Sequence, residues 1–103
     1  MKLWIDDVRP APEGYIWCLS THQAKCVIER IESNFSDKPY YTVELIDIDH
    51  DAGDYAFDGG DYIKLLDWLE ETGRSYPIHI HSMNPVGVAN MRAIIERNGW
   101  EEV

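Results

Sequence analysis

Acidic side chains follow two of the apolar runs in this sequence. Asp6 and Asp7 end the first run, and Asp49, His50 and Asp51 end a later one. Like charges a few ångströms apart repel by about 4 kcal/mol at an effective dielectric constant of about 20. A hard cation such as Mg²⁺ or Mn²⁺ takes oxygen ligands of this kind. The acids therefore predict a divalent-cation site, and the alternative is that they are solvated carboxylates at the ends of strands.

A second polar group lies towards the C-terminus, where Ser82 and Asn84 precede Pro85. Asn followed by Pro predicts the start of a helix, since Asn caps free N–H groups and Pro fits the first helical position. Those N–H groups and the positive end of the helix dipole attract anions. Ser82 and Asn84 are therefore predicted to bind phosphate oxygens, with a purely capping role as the alternative. Arg9, beside the acid pair, would either bind the phosphate or neutralise the neighbouring acids.

Two histidines belong to these polar groups. His50 and His81 are candidates for a general acid or base, because an imidazole exchanges protons near neutral pH. A hydrogen-bonded structural role is the alternative for each. His79 lies one strand period before His81 and is predicted to be structural, and His22 is predicted to lie on the surface.

Hydrophobic periodicity predicts the order strand, strand, helix, strand, helix, strand, helix. The strands are predicted over residues 2–5, 15–19, 41–48 and 77–81, with a short edge strand over 100–103 as an open alternative. The first helix is predicted over 21–33 with Ser20 as its cap, and a polar stretch through Pro39 ends it. Asp58 and Asn84 are the predicted caps of the other two helices, and the Pro/Gly-rich residues 8–14 form a loop.

These elements predict one α/β domain over residues 1–103. Strands that alternate with helices form mostly parallel sheets covered on both faces, so we expect four or five strands in a three-layer sandwich. Right-handed crossovers bring the C-terminal ends of such strands to one edge, where ligands bind in open α/β sheets. The polar groups described above would meet at that edge.

The formal net charge of the chain is −10. Duplex nucleic acid and anionic membranes attract clustered Lys and Arg, so neither is an expected partner. A small phosphorylated ligand stays compatible with this charge, because a metal ion inverts the local field. Cys18 and Cys26 lack metal-ligand spacing and are expected to be reduced thiols. We expect a cytoplasmic protein, since the N-terminus does not resemble a signal peptide and no apolar run reaches membrane-spanning length.

Three motifs resemble those of the cyclic-phosphate processing receiver-like domains, a divergent branch of the response-regulator receiver superfamily. They are Leu-Trp-hydrophobic-Asp-Asp-x-Arg-x-x-Pro at residues 3–12, Asp-His-Asp-x-Gly at 49–53 and His-Ser-x-Asn-Pro-x-Gly at 81–87. The motifs occur in the family's order and span nearly the whole chain. The resemblance implies a flavodoxin/receiver-like fold in which a Pro-rich loop replaces the first receiver helix.

The resemblance also implies roles for individual residues. Asp6, Asp7 and Asp49 would be metal ligands, and Asp49 would match the phosphoacceptor of receivers. Ser82 would match the hydroxyl residue that contacts the phosphoryl group. Receivers also end a fifth strand with a lysine, and this sequence has no lysine after Ser82. That departure, together with the loop in place of a helix, argues against a signalling phospho-switch.

The leading hypothesis is a metal-dependent phosphoesterase, a hydrolase of cyclic phosphates of nucleotides or RNA ends. Asp51, His50 or His81 would move the proton, while the turn over residues 82–84 holds the phosphate oxygens. In one variant Asp49 is a nucleophile and Asp51 an acid, as in haloacid-dehalogenase-like phosphatases. The alternatives are a non-catalytic receiver-like module that binds a nucleotide second messenger or a protein partner, and a domain phosphorylated at Asp49.

Overall fold

The computed structural model describes residues 1–34 and 42–103 of the chain. Its strands and helices follow the predicted order. They are β1 (Lys2–Ile5), β2 (Tyr15–Cys18), α1 (Thr21–Asn34), β3 (Leu45–Ile48), α2 (Ile63–Glu71), β4 (Ile78–Ile80) and α3 (Pro85–Asn98), with a 3₁₀ turn over Gly53–Tyr55. The α/β class predicted from the sequence is confirmed.

The four strands form one parallel sheet in the order β2-β1-β3-β4. Leu3 of β1 pairs with Ile16 on one side and Ile46 on the other, and Ile46 pairs with Ile78 of β4. The predicted parallel sheet and the receiver-like fold are therefore confirmed. Beyond β4, residues 100–103 contribute a single parallel bridge, between Ile78 and Glu102.

One face of the sheet carries the hydrophobic core. Leu3 and Ile5 of β1 and Ile46 and Ile48 of β3 are fully buried there. Helix α1 contacts β1 and β2, and α2 contacts both α1 and α3. The helices add buried side chains to the same core, namely Ala24, Ile28, Ile31, Leu65, Leu66, Leu69, Met91, Ile94 and Ile95. The crossovers from β2 to β3 and from β3 to β4 run in the same direction across the sheet. Right-handed crossovers of that kind place their helices on the same face of the sheet.

The opposite face of the sheet carries a loop that covers it in part, since Trp17 is 40% exposed. Trp4 and Trp17 are paired neighbours on β1 and β2, and the loop between these strands contacts both. The indole N–H of Trp4 donates to the carbonyl of Arg9 (2.8 Å), and that of Trp17 donates to the carbonyl of Asp6 (2.8 Å). The structure thus differs from a full three-layer sandwich, because a Pro-rich loop stands where a helix would form the third layer.

Two of the three predicted helix caps are confirmed. Ser20 Oγ and Asn84 Oδ1 each accept the backbone N–H three residues later, both at 3.0 Å. The predicted cap of the second helix at Asp58 is wrong. The carboxylate of Asp58 accepts a hydrogen bond from the hydroxyl of Ser20 (2.7 Å), and α2 begins only at Ile63. The side chain of Asp58 therefore makes a contact between distant segments and does not cap the helix as the local pattern predicted.

The third strand is shorter than predicted, because β3 begins at Leu45. Residue 41, the predicted start of that strand, lies outside the described residues, as does the polar stretch 35–39 beyond the end of α1.

Two further predictions concern the thiols and the membrane. Cys18 is buried, Cys26 is exposed, and both are free thiols as predicted. Within residues 1–34 and 42–103, no helix has the length and apolar character needed to cross a bilayer.

Candidate functional site

The candidate site lies at the carboxyl edge of the sheet, the edge at which the parallel strands end. The main chain extends the sheet there by one residue per strand. The N–H groups of Asp6, Asp49 and His81 each donate to a carbonyl of the neighbouring strand, at 3.2, 2.9 and 3.0 Å. These three residues therefore stand side by side, as predicted for residues that follow parallel strands.

Asp6 is the buried acid of the site, with 1% of its surface exposed. Its Oδ1 accepts the backbone N–H groups of Val8 (2.8 Å) and Arg9 (2.9 Å), and its Oδ2 accepts from Nε2 of His81 (2.8 Å). Burial by itself would raise the pKa of Asp6, but the hydrogen bonds from Arg9, Val8 and His81 bring the pKa below its ordinary value. Asp6 is therefore a fixed carboxylate at neutral pH.

Asp7 is in the opposite electrostatic situation. Burial raises the pKa of Asp7, and the negative charges of Asp6, Asp49 and Asp54 raise it further. Its Oδ2 lies against Gly53, whose φ is +53°, and a Cβ atom at that position would clash with the carboxylate. The acids thus crowd together at this edge of the sheet.

His81 lies between two carboxylates. Its Nδ1 is 2.6 Å from Oδ1 of Asp47, its Nε2 is 2.8 Å from Oδ2 of Asp6, and its side chain is 9% exposed. The indole of Trp4 stacks on the imidazole, with ring centroids 4.0 Å apart and planes 4° apart. Burial would lower the pKa of His81, but the hydrogen bonds to Asp47 and Asp6 outweigh burial and raise it. Both ring nitrogens are thus engaged, and a proton-transfer role for His81 stays a prediction.

A second histidine, His50, pairs with Asp51 of the acid cluster. Nδ1 of His50 is 2.8 Å from Oδ1 of Asp51, and the side-chain amide of Asn84 donates to Oδ2 of Asp51 at 3.5 Å. The ring of His50 packs against Gly87 in the first turn of α3, where a Cβ atom would clash with the ring. Gly87, which ends the third motif, therefore allows α3 to approach His50 of the second motif.

An open pocket of about 400 Å³ joins the acids to the candidate phosphate-binding residues. Its lining residues are Arg9, Asp49, Asp51, Ser82, Met83 and Asn84. Ser82 Oγ accepts the backbone N–H of Asn84 (3.1 Å), and the guanidinium of Arg9 donates to the carbonyl of His81 (3.2 Å). Apart from Met83, all of these lining residues are candidates named from the sequence.

The donor set of the site fits a hard divalent cation. A carboxylate oxygen of Asp6, a carboxylate oxygen of Asp49 and a ring nitrogen of His81 lie within 4.8 Å of one another. Since both nitrogens of His81 already contact carboxylates, oxygen atoms are the donors with lone pairs to spare. The negative charges of Asp6 and Asp49 contribute to the raised pKa of Asp7. A cation bound among these acids would relieve the repulsion between them.

One protein family has a model that matches this chain, over residues 1–97, and its description is the cyclic-phosphate processing receiver domain. The chain belongs to this family. No curated protein and no solved structure matches it. The resemblance based on three motifs is confirmed, and the family ties this receiver domain to cyclic-phosphate processing.

None of the four histidines of this receiver domain, all of them within the described residues, is among the residues that line the pocket. Nδ1 of His79 is 2.7 Å from the carbonyl of Val103, and Nε2 of His22 is 3.6 Å from Sγ of Cys26 on the surface of α1. These placements agree with the structural and surface positions predicted for them.

Asp47 and Trp4 were not identified as site residues from the sequence, although both contact His81. A signal for Asp47 was present. It interrupts the apolar strand Leu45–Ile48, and a buried acid between two isoleucines needs a hydrogen-bonding partner. That partner is 34 residues away in the chain, and no local pattern identifies it.

Proposed function

We propose that this receiver domain is a metal-dependent phosphoesterase that hydrolyses cyclic phosphates of nucleotides or RNA ends. The proposal is carried by the shared pocket, which is lined by the carboxylates of Asp49 and Asp51 and by the candidate anion ligands Arg9, Ser82 and Asn84. A pocket lined both by acids and by hydrogen-bond donors suits a phosphate bound together with a cation. The family's link to cyclic-phosphate processing gives the substrate class.

Asp6, Asp7 and Asp49 are the proposed ligands of Mg²⁺ or Mn²⁺. A cation bound there would polarise a phosphoryl oxygen or lower the pKa of a water molecule. Asp6 supports this role because its carboxylate is ionised and held by three hydrogen bonds. Asp7 supports it because burial and the negative charges of neighbouring acids raise its pKa, and a bound cation would offset those charges.

Ser82, Asn84 and Arg9 are the proposed phosphate ligands. The hydroxyl of Ser82 would donate to a phosphate oxygen, and Arg9 supplies a guanidinium to a pocket that lacks the receiver lysine. Asn84 combines capping with anion binding, since its Oδ1 accepts from Gly87 while its amide nitrogen lies 3.5 Å from Asp51 in the pocket.

His50 and Asp51 are the proposed proton-transfer pair. Their 2.8 Å contact is the arrangement of an imidazole oriented by a carboxylate, in which the ring exchanges the proton and the acid fixes its position. Asp49 would act as a cation ligand or, in the variant with a covalent intermediate, as the nucleophile.

Turnover tests the proposal. We expect the protein to hydrolyse 2′,3′-cyclic nucleotides or cyclic oligonucleotides with Mn²⁺ and not with EDTA, as followed by chromatography of the products. Asp49→Asn should lower kcat by about 100-fold or more, the cost of losing a principal transition-state contact. Asp67→Asn is the control, because Asp67 lies on α2 and contacts only Lys64 among described ion pairs. No hydrolysis of any of these substrates by the wild-type protein would exclude the enzyme.

The engaged nitrogens of His81 favour a second candidate function, a module that binds a cyclic nucleotide or a protein partner without turnover. A rise in melting temperature with a cyclic nucleotide, in the absence of hydrolysis, would support that function. Phosphorylation at Asp49 is tested separately by intact-mass measurement after incubation with acetyl phosphate, and it predicts an adduct that Asp49→Asn cannot form.

A further inference from the structure

Asp47 occupies an unfavourable position for a carboxylate. It lies in β3 between Ile46 and Ile48, and 6% of its surface is exposed. Aspartate is depleted in strands, and a buried charge destabilises the fold unless it is paired and hydrogen-bonded. An apolar residue at this position would satisfy the strand pattern without any of these costs. The position therefore points to a task for the carboxylate other than stabilising the sheet.

The contact that Asp47 makes leads directly to the candidate cation site. Oδ1 of Asp47 is 2.6 Å from Nδ1 of His81, and the opposite nitrogen of the same ring is 2.8 Å from Oδ2 of Asp6. Each ring nitrogen of His81 is thus within hydrogen-bond distance of a carboxylate oxygen. The ring is thus a rigid bridge from a strand interior to a proposed cation ligand.

Two further contacts restrict the orientation of that bridge. The indole of Trp4 lies flat against the imidazole, at 4.0 Å and 4°, and fixes its plane. Trp4 is itself held by a hydrogen bond from its indole N–H to the carbonyl of Arg9. With the plane set by Trp4 and the rotation set by Asp47, the second nitrogen of His81 has one direction left, towards Asp6.

Asp6 then has both carboxylate oxygens fixed. The N–H groups of Val8 and Arg9 hold Oδ1, and His81 holds Oδ2. Ligating carboxylates in metal sites are held in this way by outer partners, whose loss weakens metal binding or activity by about 10- to 100-fold. We infer that Asp47 is a positioning residue of the site, which acts through His81 to fix the carboxylate of Asp6. This inference rests on the proposed cation-binding function.

The test measures Mn²⁺ binding alone, by isothermal titration calorimetry without substrate. Asp47→Ala removes the contact to His81 and should raise the Kd for Mn²⁺ by about 100-fold, while Asp47→Asn keeps an acceptor oxygen and should raise it by about 10-fold. His79→Gln is the matched control, because His79 is an exposed histidine on the same strand face that bonds to Val103 rather than to Asp6. Its Kd should equal that of the wild type.

A merely structural role for Asp47 would lower the melting temperature and leave the Kd for Mn²⁺ of the folded protein unchanged. An unchanged Kd in Asp47→Asn, with a native circular dichroism spectrum, overturns the inference even where Asp47→Ala fails to fold. Wild-type protein that binds Mn²⁺ without hydrolysing any cyclic phosphate removes the enzyme proposal, and the graded Kd values still decide the role of Asp47. Wild-type protein that binds no Mn²⁺ overturns the inference together with the cation site.

Discussion

Asp6 and Asp7 are adjacent in the sequence, yet the fold shifts their pKa values in opposite directions. Burial disfavours the charged form of both. Asp6 receives hydrogen bonds from two backbone N–H groups and from His81, which more than offset burial. Asp7 has acids as its neighbours, and their charges add to the effect of burial. A difference of one position along the chain thus separates an acid whose ionised form the fold favours from one whose ionised form it disfavours.

Removing the charge of Asp7 is expected to stabilise the metal-free protein. Folding raises the pKa of Asp7 above the unfolded value near 3.8, so its ionisation favours unfolding. That cost is absent below the unfolded pKa and is complete once the pH has risen above the raised folded pKa. We expect Asp7→Asn to raise the melting temperature in EDTA at pH 7 by about 4–8 °C, which corresponds to a gain of about 1 kcal/mol.

The same variant should lose the rise in melting temperature that Mn²⁺ gives the wild-type protein, because a proposed ligand is gone. Asp67→Asn, on the exposed side of α2, should change neither measurement. A lower melting temperature of Asp7→Asn in EDTA would show that the acids around Asp7 do not repel one another as proposed.

At the scale of elements, the start of α3 joins a helix cap and a proposed anion ligand in one residue. Asn84 accepts the N–H of Gly87 as a cap, and its amide nitrogen lies near Asp51 in the pocket. The capping pattern was predictable because it involves neighbours along the chain, and the same holds for Ser20 at α1. The start of α2 was not, because Asp58 bonds to Ser20, 38 positions earlier, and helix propensity carries no information about that contact.

Substitutions of Asn84 separate capping from anion binding. Asn84→Ala should lower the free energy of unfolding by about 1 kcal/mol in urea titrations, through loss of the cap. Asn84→Asp keeps a good cap but adds a negative charge beside Asp51, so the affinity for inorganic phosphate should fall at least tenfold, about 1.4 kcal/mol. Asn84→Ser keeps the cap without the charge and serves as control. Wild-type phosphate affinity in Asn84→Asp would remove this position from the anion site.

At the scale of the whole molecule, the parallel sheet was predictable from the alternation of strands and helices. The number of layers was not, since it depends on whether the loop after β1 covers Trp4 and Trp17. Those indoles find carbonyl acceptors within the loop, but Trp17 stays 40% exposed, so the loop covers this face only in part. The family motifs identified the residues at the carboxyl edge. Asp47 and its partner His81 could be recognised as a pair only in the assembled sheet.

The fold is also held by an ionic contact far from the site. Glu32 of α1 accepts hydrogen bonds from the guanidinium of Arg74 and from the hydroxyl of Tyr76, and Arg74 lies 4.2 Å from the ring centre of Trp68. The hydrogen bond from Arg74 lowers the pKa of Glu32, whereas burial raises it. The hydrogen bond from Tyr76 also lowers this pKa, and the net pKa is below its ordinary value. This cluster joins α1 to the segment between α2 and β4.

Acid should weaken this cluster. Because the pKa of Glu32 is lower in the folded than in the unfolded chain, its contribution to stability is present above the unfolded value near 4.5 and is lost as the pH falls through the folded value. We expect Glu32→Gln to lower the free energy of unfolding at pH 7 by about 1–2 kcal/mol and to flatten its decline between pH 5 and pH 3. Glu29→Gln, on an exposed position of the same helix, is the control. Parallel pH profiles for wild type and Glu32→Gln would contradict the assignment.

The main-chain bonds at the carboxyl edge have a consequence for how the site behaves in time. The amide hydrogens of Asp6, Asp49 and His81 each join a different pair of strands. Solvent can reach these amides only when neighbouring strands separate, which in a four-stranded sheet with one core is close to global unfolding. Their deuterium exchange should therefore be as slow as that of the strand interiors. Adaptation of the site to a ligand is therefore expected from side chains and from the loops around them rather than from these three strand ends.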